Sequence, residues 1–244
     1  MRQKILIAAG AAMAMTLGAA KAETNDSVWP EGMPKPTASY EGAYQMTANG
    51  ETESITINSA DGKQRMTFPA GSNLAGKKSK FARVAVIEPD AGSMLMWPEG
   101  KGAPKIAMTM NRADATNMAA AFGVDDAARV TAKKTGADKV LGIDCAVYEL
   151  KTIGGSSTTC VTRDGMVLRS KDSSGSTMKA TSIKRGPQAA SLFAPPTDYE
   201  VADMGECMRL AADMMAAARA GKQPDMAKMQ KCQELGEKMK DFDQ

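Results

Sequence analysis

The chain of 244 residues contains no histidine, and this decides which chemistry it can carry. Without an imidazole there is no Ser-His or Cys-His nucleophile, no HExxH zinc site and no His-ligated metal or haem. The one hydrolytic arrangement that survives is a Ser-Lys pair. Ser176-Thr177-Met178-Lys179 matches SxxK, and Lys134-Thr135-Gly136 matches the KTG of penicillin-recognising serine enzymes. In those enzymes SxxK opens a helix and precedes KTG. Here KTG comes first, SxxK falls in a Gly/Ser-rich strand pattern and no SxN element follows, so a Ser-Lys hydrolase is a distant reading.

A second pattern fails on its own chemistry. Gly71 to Lys78 approaches the phosphate loop GxxxxGK[ST], but position 78 is Lys rather than the hydroxyl residue that holds magnesium, and the segment leads into a strand instead of a helix N-terminus. It reads as a surface loop with a local basic run at Lys77, Lys78, Lys80 and Arg83. Carboxylates such as Glu88 and Asp90 sit at turns, where they solubilise. No catalytic residues, cofactor or metal site are assigned, and the reading is of a protein that is not an enzyme.

Sulfur is the abundant chemistry: 20 Met and four Cys. Met94 and Met96 share one face of a strand pattern, Met108 and Met110 share one face of the next, and the loop from Pro98 to Pro104 makes the two strands neighbours. Soft thioethers suit copper(I). The absence of His and of dense Met clusters in loops weighs against that reading. A pliable apolar face, either closed core or the wall of an acyl-chain pocket, fits better. Met94, Met96, Ile106, Met108 and Met110 are the candidate ligand-binding residues.

The N-terminus explains the compartment. Arg2 and Lys4 precede an apolar stretch of small residues from Ile5 to Ala20, and Ala20-Lys21-Ala22 offers a small-x-small cleavage pattern, so residues 1–22 read as an export signal cleaved after Ala22. The net charge of +3 belongs to that leader, because cleavage removes Arg2, Lys4 and Lys21 but no acid. A formally neutral mature chain gives no general basic field for nucleic acid, and it contains no transmembrane pattern. In an exported chain, four cysteines favour two disulfides. Cys145 and Cys160 flank a Gly154-Gly155 turn between two strand patterns and can sit nearly opposite on a hairpin. Cys207 and Cys232 fall in two helical patterns either side of Ala220 to Pro224, where a bridge would staple a helical hairpin, although Cys207 lies about five residues further from the turn, roughly 7 Å at the helical rise. Three connectivities are formally open.

The elements that position these groups follow from periodicity. Residues 23–38, with three prolines and no period, read as a flexible leader. Alternating runs over Ser39–Thr47, Glu53–Ser59, Gln64–Phe68, Phe81–Ile87, Ser93–Trp97 and Lys105–Asn111 read as antiparallel strands separated by Asn-Gly, Asp-Gly and Pro-Asp-Ala-Gly turns. A short helix is expected over Asp114–Phe122. Strands resume at Arg129–Lys133, Val140–Leu150, Thr158–Arg163, Val167–Lys171 and Thr177–Lys184. From Asp203 the period changes to that of two helices, Asp203–Arg219 and Asp225–Lys240, with Pro224 at the start of the second.

Val140-Leu141-Gly142-Ile143-Asp144-Cys145-Ala146-Val147-Tyr148-Glu149-Leu150, Thr159-Cys160-Val161-Thr162-Arg163-Asp164-Gly165 with Leu168, and Leu192-Phe193-Ala194-Pro195-Pro196 with Tyr199-Glu200-Val201 resemble a family of uncharacterised exported bacterial proteins related to the lipoprotein-carrier (LolA/LolB-like) superfamily. The resemblance spans roughly Ser39 to Val201. It implies an α+β fold: a strongly curved antiparallel sheet forming an open half-barrel, closed by helices and able to hold a lipid chain. It carries over no catalytic residues, and the helical hairpin after Val201 is a departure that could plug the concave face. The sequence therefore divides into a signal peptide (1–22), a flexible leader (23–38), a LolA-like sheet domain (39–201) and a helical hairpin (202–244). Its leading function is non-catalytic periplasmic binding of a hydrophobic or lipid-like ligand. The alternative is a periplasmic interaction module with a closed core, contacting an envelope protein.

Overall fold

The computed structural model describes residues 29–48, 50–73, 78–111, 131–152, 155–219, 230, 232–234 and 237. The export signal, the helix expected over Asp114–Phe122 and most of the helix expected over Asp225–Lys240 lie outside the described residues.

Twelve strands form one sheet: β1 (Tyr40–Ala48), β2 (Glu51–Ala60), β3 (Lys63–Phe68), β4 (Ala82–Glu88), β5 (Ser93–Glu99), β6 (Ile106–Asn111), β7 (Thr131–Val140), β8 (Ile143–Thr152), β9 (Gly155–Val161), β10 (Val167–Asp172), β11 (Thr177–Arg185) and β12 (Glu200–Asp203). Their spatial order is β12-β6-β5-β4-β3-β2-β1-β11-β10-β9-β8-β7. Two antiparallel meanders, β1 to β6 and β7 to β11, meet at the β1–β11 pair, where Tyr40 lies opposite Arg185 and Thr47 opposite Thr177. A register shift between Ala43 and Tyr44 at this seam adds local twist. β7 and β12 do not pair with each other, so the sheet is curved but unclosed.

The curl brings distant strands together. Tyr40, Tyr44, Ile55 and Ile57 of β1 and β2 share one buried cluster with Cys145 of β8, Cys160 of β9, Leu168 of β10 and Ala180 of β11. Tyr44 donates its hydroxyl to the Val167 carbonyl at 2.9 Å, and burial pushes both the Tyr40 and Tyr44 phenols above their ordinary range. On the opposite face of β4 to β6 a second core forms, in which Val84, Val86, Trp97 and Ala107 are covered by Phe193 and Leu192 of a short 3-10 turn, Ala190–Phe193. Arg65 fastens that turn. It donates to the Leu192 carbonyl at 3.0 Å and to both Glu99 carboxylate oxygens at 2.9 Å, while its guanidinium lies 5.7 Å from the Trp97 ring centroid.

Three places differ from the sequence expectation. The run Val140–Leu150, read as one strand, is interrupted by a turn at Leu141 and Gly142, with φ of 54° and 75°. The strand read at Arg129–Lys133 instead continues to Val140. Left-handed backbone suits Gly or Asn rather than Leu, so residue type hides this hairpin. β12, which the sequence reading lacks, pairs in parallel with β6. Finally, the leader is packed from residue 29. Met33, Pro36 and Ala38 are buried, Met33 and Trp29 pack with Tyr148, Leu150 and Val161, and the amides of Thr37 and Ala38 donate to the Asp164 carbonyl. Gly165 permits this crossing, because a Cβ there would lie 2.1 Å from the Lys35 carbonyl oxygen.

After β12 a helix, α1 (Met204–Arg219), begins at once. Asp203, read from sequence as the first residue of the helix, instead caps it, its carboxylate accepting from the amides of Gly205 at 2.9 Å and Glu206 at 3.3 Å. Both expected disulfides are present, Cys145–Cys160 and Cys207–Cys232. In the first, Cys160 stands opposite Val147 in the ladder, so the bridge is diagonal, joining residues of one face two positions out of register.

Candidate functional site

Strand alternation sets a continuous apolar row on the inner face. Following the register from strand to strand, Gly42 lies opposite Ile57, Ile57 opposite Met66, Met66 opposite Ala85, Ala85 opposite Met96, Met96 opposite Met108, and Met108 opposite Ala202. A second row runs Gln64, Ile87, Met94, Met110. Side chains in the same row of a sheet lie on one face. The methionines are thus gathered by topology, not by proximity in sequence.

At the seam end this face deepens into a cleft of about 340 Å³. Its walls are Tyr40, Met46, Ile57, Met66, Phe68 and Met178, with Met46 directly opposite Met178 across the β1–β11 pair. Gln64, Ser170, Asp172, Ser176 and Thr177 supply its polar lining. Asp172 is occupied within its own turn. One carboxylate oxygen accepts from the Ser174 hydroxyl at 2.6 Å and from the Ser174 and Ser176 amides at 2.9 Å. The Ser174 hydroxyl bond leads in holding that carboxyl below the usual range. A group stabilised as its anion in this way orders the β10–β11 turn and is a poor proton acceptor.

The residues singled out from sequence fall at the other end of the rows. The two methionine strands are neighbours, and the register sets Met94 opposite Met110 and Met96 opposite Met108. Ile106 and Met108 are 3% and 5% exposed, covered by Ala202 and by Met204 at the start of α1. Met94, Met96 and Met110 are half-buried. None of the five lines the cleft, although Met66, which does, continues their row through Ala85. Sequence reasoning missed Met46, Met66 and Met178 as cleft residues because the β1–β11 pairing that unites them joins distant parts of the chain.

The hydrolase elements do not meet. Ser176 and Lys179 belong to the β10–β11 turn and β11, and Lys134 belongs to β7, with β8, β9 and β10 between. Four strand spacings amount to about 19 Å. The Gly71–Lys78 segment shows no helix in its described part. Gly71 donates its amide to the Ser79 carbonyl and Ser79 donates to that of Ser72, after which β4 follows. Glu88 pairs with Lys63 and Asp90 with Lys35. A second cleft, of about 310 Å³, lies beside the Cys145–Cys160 bridge and is lined in part by Lys134, Asp138, Tyr148 and Arg163. Its Asp138 is paired with Arg169, and the carboxyl is held below its usual range, first by the Lys139 amide and also by that guanidinium. Among the described residues no group of three His, Cys, Asp or Glu is placed to hold a metal ion, and no helix is long and apolar enough to cross a membrane.

No family model matches the chain, and no curated protein matches it. Among solved structures it is similar to PNGF-II (15% identity, 72% of this chain, TM-score 0.42), of whose length the chain spans about a third, at 33%. It is similar to a chain of the Pseudomonas aeruginosa MucA/MucB complex (16% identity, 69% of this chain and 59% of that one, TM-score 0.38). It is also similar to a putative outer membrane lipoprotein-sorting protein domain from Vibrio parahaemolyticus (7% identity, 64% and 89%, TM-score 0.21).

Proposed function

We propose that this protein is a non-catalytic periplasmic binding protein of the LolA-like type, taking an acyl chain or similar hydrophobic group on the inner face of its open sheet. The observation that carries the reading is the cleft of about 340 Å³ walled by Tyr40, Met46, Ile57, Met66, Phe68 and Met178, within the range of small-molecule sites, roughly 300–1,000 Å³. Methionine walls adapt to chains of different shape, and Met94, Met96, Ile106, Met108 and Met110 extend the same apolar face. Burying about ten methylenes at about 0.8 kcal/mol each gives roughly 8 kcal/mol before ordering costs, equivalent to micromolar affinity. Cleavage after Ala22 and residence in the periplasm agree with two disulfides, which persist in oxidising compartments.

Native mass spectrometry and lipid extraction of protein purified from the periplasm test the proposal, together with titration of a fluorescent fatty acid. A retained or bound acyl chain, lost at least tenfold in Met66→Glu, is the expected result. Empty protein that ignores the probe would overturn it. The second reading, a module that contacts an envelope protein through the C-terminal segment, has one observation in its favour: α1 and β12 cover Ile106 and Met108, so that end of the face is filled by the chain itself.

A further inference from the structure

The four methionines of β5 and β6 form a two-by-two array, and we infer that this array is a thioether site for a soft monovalent ion, copper(I) or silver(I). The inference stands apart from acyl-chain binding, since it rests on the β5–β6 ladder and not on the cleft. Met94 lies opposite Met110 and Met96 opposite Met108. Directly opposed side chains on one face have Cβ atoms about 4.5–5.5 Å apart, and residues two positions along a strand are separated by about 7 Å. An unbranched thioether with three rotatable bonds reaches across either gap, so sulfurs from two or three of the four can converge on one ion.

The surroundings select for softness. The array is flanked on β4 by Ile87 opposite Met94 and Ala85 opposite Met96, an apolar border that offers nothing to a hard, hydrated cation. Met108, almost fully buried against Ala202 and Met204, forms the floor, whereas Met94, Met96 and Met110 are only partly buried. The rest of the chain cannot compete by other chemistry. It has no His, and all four of its Cys are paired in disulfides, so thioether sulfur is the one strong soft donor it possesses. The register supplies the clustering that the linear sequence does not display.

The test uses the whole chain with its disulfides intact, under anaerobic conditions. Copper(I) is offered from its bicinchoninate complex, and silver(I) serves as a redox-inert check. The expected result is one ion bound per chain, sulfur-only coordination in X-ray absorption, and shifts among methyl-¹³C methionine resonances confined to Met94, Met96, Met108 and Met110. The pairs Met94→Leu with Met110→Leu, and Met96→Leu with Met108→Leu, conserve volume and apolarity. Each is expected to weaken copper(I) binding at least tenfold while leaving the sheet signal in circular dichroism unchanged. Met46→Leu with Met178→Leu, which removes the other opposed methionine pair, is expected to retain the ion. No binding, binding undiminished in the β5–β6 variants, or methyl shifts at the cleft or C-terminal methionines would each overturn the assignment. Should a variant fail to fold, the methyl map on the unaltered protein decides.

Discussion

Arg65 offers a severe test of how the outer face is held. Its side chain is 11% exposed and that of its partner Glu99 34%. It fastens three things at once: the Glu99 carboxylate, the Leu192 carbonyl of the 3-10 turn and the Trp97 ring. Arg65→Met keeps much of the volume but strands Glu99 and the Leu192 carbonyl. Removing one partner of a fully buried pair costs about 3–5 kcal/mol. Because Glu99 reaches water along one edge, its charge is partly rehydrated, and we expect about 2–3 kcal/mol. For a chain of this size each kcal/mol moves Tm by about 2–4 °C, so the variant should melt roughly 5–10 °C lower. Glu99→Gln keeps an oxygen acceptor for the Trp97 indole N–H, which bonds Glu99 at 3.0 Å, and should cost less. A double-mutant cycle read by calorimetry and by tryptophan emission should show coupling of about 1 kcal/mol or more between the two sites. A shift under about 2 °C, or an additive cycle, would show that the 3-10 turn is held by Phe193 packing alone.

Two further outcomes follow from covalent and electrostatic features. Replacing Cys145 and Cys160 together by Ala opens a loop with sequence separation 15, for which chain entropy gives about 3 kcal/mol, so the urea midpoint should fall without loss of the sheet signal in circular dichroism. Asp164 is held below its ordinary value of 3.8, first by its hydrogen bond with Arg185. A lowered folded-state pKa contributes stability that is fully present above the unfolded value and lost as pH falls through the folded one. Stability should therefore decline from about pH 4 downward, and Asp164→Asn should flatten that decline when urea midpoints are compared between about pH 2 and 7.

Period-2 alternation located most of the strands because each has one buried face, and alternation is what a half-buried strand must show. Leu141 defeated that signal. An apolar residue at φ of 54°, 49% exposed, continues a hydrophobic run in sequence while reversing the chain in space. Trp29 and Met33 were unreadable for the opposite reason. They are isolated apolar residues among prolines, and only the nearby surface of β8 and β9 gives them somewhere to pack. Strand β12 is four residues long and pairs in parallel with a strand some ninety positions earlier, so no local turn announces it. For the candidate site, that the strand carrying Met94 and Met96 lies beside the strand carrying Met108 and Met110 could be read from spacing. The cleft could not, since Met46 and Met178 become neighbours only through the β1–β11 seam.

That seam also orders how the molecule comes into being. Synthesis delivers a chain from its N-terminus, and β1 to β6 can pair by local turns as they emerge. β1 must nevertheless keep a bare edge until β11 arrives well over a hundred residues later. β6 likewise waits about ninety residues for β12. Two unpaired edges bordering an apolar face are the features that promote wrong association of nascent chains, and contacts of such long sequence separation form slowly. The interval before β12 arrives is thus the most vulnerable stage for this protein, which leaves its half-folded sheet in need of shelter until its last strand is in place.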